Sequence, residues 1–280
     1  MKIIDTHQHL WDLDLFSYSW CRTIPELNRS FLMQDYVEAS EGVEVVKTVF
    51  VEPDVDEDSF LDETRSILTL ADEDNLLEGV VAGGRPENPG FKDYIHKIAG
   101  HPKLKGIRRI LHVHPDELSE STLFVENIRS LADYGLSFDI CVLERQLPKA
   151  IKLIEKCPRV SFVLDHCGNP RVKEREVEPW LTNLKEVASF PNVVCKISGI
   201  VVNADRQNWT ADDLSPYVDR VIDTFGWDRV MFGSDWPVCT LASSYRRWVE
   251  TLISLTSSAG EANQRKLFYE NAERVYRLTQ

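Results

Sequence analysis

Eight short apolar runs, rich in valine and isoleucine, recur along the whole 280-residue chain. They are Lys2 to Asp5, Val45 to Val51, Glu78 to Ala82, Gly106 to Leu111, Leu136 to Leu143, Val160 to Leu164, Val193 to Ile197 and Val230 to Phe232. Each is nearly continuous rather than alternating, the pattern of parallel strands covered on both faces. Segments with helical spacing lie between them. Phe60, Ile67, Leu68 and Ala71 share a face of Ser59 to Ala71, and Leu118, Phe124, Val125, Ile128 and Leu131 share one of Glu117 to Tyr134, before Gly135 stops that helix. Leu147 to Lys156, Asp212 to Phe225 and Asn263 to Leu278 read the same way. Strand-helix repetition on this scale, without linker or low-complexity sequence, predicts one α/β domain over 1–280, a (β/α)8 TIM barrel ending in a C-terminal helix. A doubly wound open sheet is the alternative, but it would want a glycine-rich first turn, and this chain has His7-Gln8-His9 there.

In a barrel, the polar residues at the C-terminal ends of the strands converge on one mouth. His7 and His9 stand two apart after the first run, so they project together, about 7 Å apart at the backbone. Such a pair is either two hydrogen-bonded core histidines or two ligands for a divalent metal, zinc first. Asp235 follows a buried run and a Gly-Ser step, as a helix cap or as a metal ligand and general base. His166 follows the sixth run and Glu52 the second, the latter readable as a pocket or a turn residue. Lys196 interrupts the seventh run, which is costly unless it is paired or faces a polar pocket. Alternation sends Arg108 and Arg109 to opposite sides, and Arg108 is chosen as the inward one. His112, from a second His-x-His, is either a loop residue or a substrate contact. Asp139, Trp236 and Trp11 complete the candidate substrate contacts, Trp11 opening an aromatic loop to Arg29 that reads as a lid or as packing.

Composition excludes several classes. A net charge of −13 argues against a nucleic-acid surface, and no apolar run is long enough for a transmembrane helix. The first strand begins almost at once, so no signal peptide is expected. The six cysteines stand singly without a C-x-x-C, which suits a reducing cytoplasm. No Gly-x-Ser-x-Gly elbow, P-loop or dinucleotide fingerprint is present. A small-molecule substrate is expected, and a homo-oligomer is compatible with the sequence.

Three motifs together, Asp5-x-His7-x-His9, Asp165-His166-Cys167-Gly168-x-Pro170 and Gly233-Ser234-Asp235-Trp236-Pro237, resemble the amidohydrolase superfamily. The nearest branch is the amidohydrolase 2 group, with its TIM-barrel sugar-lactone and muconolactone-type lactonases. The resemblance spans the chain and implies lactone hydrolysis, with a metal-dependent decarboxylase as the alternative. Many members carry a ligating histidine on the fifth strand and a bridging lysine or glutamate on the fourth. This chain has neither, so the resemblance implies a mononuclear site on His7, His9 and Asp235, completed by Glu52 or His166, or a metal-free one. Catalysis is then expected from Asp235, His166 and Lys196.

Overall fold

The computed structural model describes residues 1–278. Eight parallel strands pair in sequence order: β1 Ile3–Gln8, β2 Val45–Val51, β3 Leu77–Gly83, β4 Leu104–Ile110, β5 Ser137–Cys141, β6 Ser161–Leu164, β7 Val193–Ile197 and β8 Val230–Phe232. The ring closes where β1 meets the end of β8. There Asp235 N–H donates to the His7 carbonyl and His9 N–H to the Trp236 carbonyl, each at 2.7 Å. Around it stand α1 Met33–Ala39, α2 Phe60–Glu73, α3 Phe91–Ile98, α4 Thr122–Ser130, α5 Leu147–Lys156, α6 Trp180–Ser189, α7 Ala211–Phe225 and α8 Tyr245–Leu255. The (β/α)8 barrel expected from the alternation of runs is the fold observed. Among the described residues, no helix is long and apolar enough to cross a membrane.

Boundaries differ from the sequence expectation where hydrogen bonding, not hydrophobicity, sets them. β1 runs on to Gln8 because Gln8 still pairs with Phe50, so His7 lies inside a strand rather than beyond one. The helix expected from Glu117 starts only at Thr122, because Ser121 caps it by accepting from Phe124 N–H at 3.2 Å. The last segment is helical over Glu261–Arg265 (α9) and Asn271–Tyr276 (α10), joined by a π turn at Lys266–Glu270.

Strand alternation divides the apolar residues between two cores. Phe50, Val80, Ile107, Phe138 and Ile140 point outward against the helices. Ile4, Val49, Val51, Val81, Val163 and Met231 fill the lower barrel, which Ala272, Tyr276 and Leu278 plug from below. Above that apolar layer the barrel interior holds Arg108, Asp139, Asp165 and Lys196.

Candidate active site

The polar layer begins with paired charges. Lys196 is fully buried, its Nζ 2.7 Å from Asp139 Oδ2 and 3.1 Å from Asp165 Oδ1. Tyr276, reaching up from α10, donates to Asp139 Oδ2 at 2.9 Å. Arg108 holds Glu52 Oε1 at 3.3 Å and Asp165 Oδ2 at 3.4 Å, and also donates to the Glu52 carbonyl. Burial disfavours charge on Asp165, but Lys196, His7 and Arg108 outweigh it and hold the carboxyl well below the usual range. Arg109 turns the other way, to Glu87 at 2.6 Å, as alternation requires.

Three histidines sit on this layer. Arginine can only donate, so the 3.3 Å contact between Arg108 and His7 Nε2 makes that nitrogen an acceptor, while Nδ1 lies 3.3 Å from Asp165 Oδ1 and 3.4 Å from Lys196 Nζ. His9 is fixed through Nδ1–H, which donates to the Val51 carbonyl at 2.6 Å. Its Nε2 faces Asp235 Oδ1 at 3.3 Å, and His7 Nε2 lies 3.7 Å from the same oxygen. His166 is held through Nδ1 by Ser198 Oγ at 2.9 Å. Burial pushes all three imidazoles down, His9 to about 3, and pushes Asp235 up, so the cluster is uncharged rings around one buried carboxylate.

Backbone strain marks the same ground. His166 (φ 53°), Cys167 (57°), Asn169 (50°) and Asp235 (59°) all occupy the left-handed region, which costs of order 1–3 kcal/mol each. Gly199 closes over His166, where an added Cβ would fall 2.5 Å from Nδ1. No side chain larger than hydrogen fits there.

The cavity above measures about 260 Å³. His9, Arg108, His166 and Asp235 form its polar floor, and Trp20, Ile110, Val113, Val202 and Val238 contribute an apolar wall. His112 also lines it, with Nδ1 3.3 Å from Cys141 Sγ. Several expected contacts lie elsewhere. Lys196 and Asp139 are sealed beneath the floor by their mutual ion pair, so neither forms part of the cavity wall. Glu52 is turned away from the imidazoles, one oxygen on Arg108 and the other accepting from Asp54 N–H at 2.9 Å. Trp11 packs on Trp20 and Phe31, and Trp236 on Phe31 and Tyr36, so from the aromatic loop it is Trp20 that reaches the cavity. Sequence reasoning missed Asp165, the hub beneath His7. Its signal was present: it ends the buried run one residue before His166. Asp54, Asn169 and Asn203 were also missed, because loop residues carry no periodicity.

The donor set suits a divalent ion. Ligand atoms of His7, His166 and Asp235 lie within 4.8 Å of one another, and the Nδ1–H bond of His9 turns its Nε2 toward the Asp235 carboxyl on the same side. A family model for amidohydrolases matches residues 4–278. The chain belongs to the amidohydrolase family. This amidohydrolase is 31% identical to an L-fucono-1,5-lactonase of Burkholderia multivorans, over 98% of this chain and 96% of the relative. The crystal structure of an amidohydrolase from Burkholderia multivorans with bound zinc superposes with a TM-score of 0.91 at 29% identity, covering 100% of both chains. The structure of a 2,6-dihydroxybenzoate decarboxylase has a TM-score of 0.68 at 11% identity, a likeness of fold alone.

Proposed function

We propose that this amidohydrolase opens the lactone ring of a sugar acid. The observation that carries the reading is the placement of Asp235, a buried carboxylate with a raised pKa, opposite Arg108 on the floor of a small cavity. The lactonase relative supports it, and so does the apolar wall. A 6-deoxy sugar presents a methyl group where other hexoses carry a hydroxymethyl, and Trp20, Ile110 and Val202 offer that methyl a dry surface.

Water enters above Asp235, whose carboxylate takes a proton as the water oxygen attacks the lactone carbonyl carbon. The carbonyl π electrons move to oxygen, and the Arg108 guanidinium beneath stabilises the oxyanion. The tetrahedral adduct collapses, the ring C–O bond breaks, and Asp235 returns its proton to the departing alkoxide. The product is an open-chain hydroxy acid. His166 and His9 orient the carboxylate and the ring. His7, His9, His166 and Asp235 would hold a divalent metal, with zinc the proposed ion, and bound there it would polarise the carbonyl and acidify water. Beneath them, Lys196 and Asp165 flank His7 Nδ1 and fix the position of its ring.

A pH-indicator screen of aldono-1,5- and 1,4-lactones, run with and without chelator, tests the reading. Acid release from at least one 6-deoxyaldonolactone is expected, and loss on chelation would assign the metal. Carbon dioxide release from a carboxylated aromatic, with every lactone inert, would replace the reading by a decarboxylase.

A further inference from the structure

Asp54 stands at the cavity rim in the loop after β2, and none of the roles above uses it. Its backbone lies in the left-handed region at φ 62°, held by the 2.9 Å bond from its N–H to Glu52 Oε2. A non-glycine residue kept there by its neighbours is a strained position, and such positions gather at functional sites. The side chain is flanked by two arginines at distances too long for hydrogen bonds, with Arg85 3.9 Å and Arg109 4.0 Å from Oδ1. Both arginines are committed elsewhere, Arg85 to Glu57 and Arg109 to Glu87, each at 2.6 Å. Neither consumes an Asp54 acceptor. Among the described residues, no donor hydrogen-bonds to either Asp54 oxygen. The result is a partly exposed carboxylate on the rim of a cavity whose other rim carries the amides of Asn169 and Asn203.

Two acceptor oxygens held side by side match two neighbouring hydroxyl donors, as on adjacent carbons of a sugar ring. They repel a second carboxylate. The cavity wall has one arginine, Arg108, already shared between Glu52 and Asp165, and no lysine, whereas Asp54 and Asp235 both line it. We infer that Asp54 is a specificity-determining residue that reads ring hydroxyls, selecting uncharged polyhydroxylated lactones over lactones bearing a free carboxylate. This rests on the lactonase reading and narrows its substrate class.

The test pairs L-fucono-1,5-lactone with δ-valerolactone, the same six-membered ring without hydroxyls, across the wild type, Asp54→Asn and Asp54→Gly. Asparagine and glycine both tolerate the left-handed backbone, so neither replacement adds strain. Removing hydrogen bonds to a charged group should lower kcat/KM for the fuconolactone roughly 10- to 100-fold, chiefly through KM, in Asp54→Gly. Asp54→Asn, which keeps one acceptor oxygen, should fall between, and δ-valerolactone should stay within about twofold throughout. A parallel fall on both lactones, or no fall on either, would overturn the inference, as would efficient wild-type turnover of a carboxylate-bearing lactone such as muconolactone. If the wild type hydrolyses neither ring, the lactonase reading itself fails, and the wild-type arm alone reveals that.

Discussion

The same eight strands build two unlike layers within one barrel. The lower layer, with Ile4, Val49, Val81, Val163 and Met231, is apolar and tolerates no polar atom without a partner. The upper layer, a few residues further along each strand, holds Arg108, Asp139, Asp165 and Lys196 with almost no exposure. Packing keeps the lower layer in place by shape. The upper one is held by charge balance, since each of these groups touches an opposite charge within 3.5 Å. The difference teaches where precision is needed: the apolar layer makes a rigid floor, and the ionic layer sets the orientation of the imidazoles standing on it.

The comparison can be broken at its top, its middle or its base. Asp235→Asn keeps the shape and removes the proposed base, so turnover should fall by about 10³-fold or more while the thermal midpoint stays near that of the wild type. An active Asp235→Asn variant would refute the base assignment. Lys196→Met leaves Asp139 and Asp165 buried without their cation, and urea melts should show a loss of about 3–5 kcal/mol. Met231→Ala, in the apolar layer, should cost about 2–4 kcal/mol yet leave kcat/KM nearly unchanged. Loss of activity in proportion to stability in that variant would show the layers to be less separable than their chemistry suggests.

Acidification should act on the buried imidazoles and, with the opposite sign, on carboxyls that burial pushes up, Glu63 to about 8 among them. Because the folded-state pKa values of His7, His9 and His166 lie below that of an unfolded histidine, the unfolded chain binds more protons as pH falls through about 6.5. The histidine contribution to stability is therefore fully present above that pH and declines below it, by up to about 1.4 kcal/mol per pH unit for each such histidine until its own depressed pKa is reached. Chemical melts at pH 7 and 5 measure the slope, and His166→Gln should flatten it. A pH slope in His166→Gln equal to that of the wild type would mean that this ring is not held neutral.

Much of this was legible in the sequence, and the limits have physical causes. Valine- and isoleucine-rich runs reported the barrel because a strand buried on both faces must be apolar along its length. His7, His9, His166 and Asp235 announced themselves as polar residues directly after such runs, and the structure brings them together. Depth was not legible. Lys196 interrupts its strand as conspicuously as His166 follows its own, yet one lies under the floor and the other in it, a difference set by stagger between strands rather than by local pattern. Asp165 was overshadowed by the histidine beside it. Asp54 depends on a left-handed loop residue, which no periodicity records.

The bonds from Asp235 N–H to the His7 carbonyl and from His9 N–H to the Trp236 carbonyl stitch the chain's first strand to its eighth. The chemical centre is thus assembled across a seam between segments more than two hundred residues apart. An N-terminal fragment emerging from the ribosome carries the imidazoles but not their carboxylate. Turnover is therefore a direct report that the two ends of the ring have met.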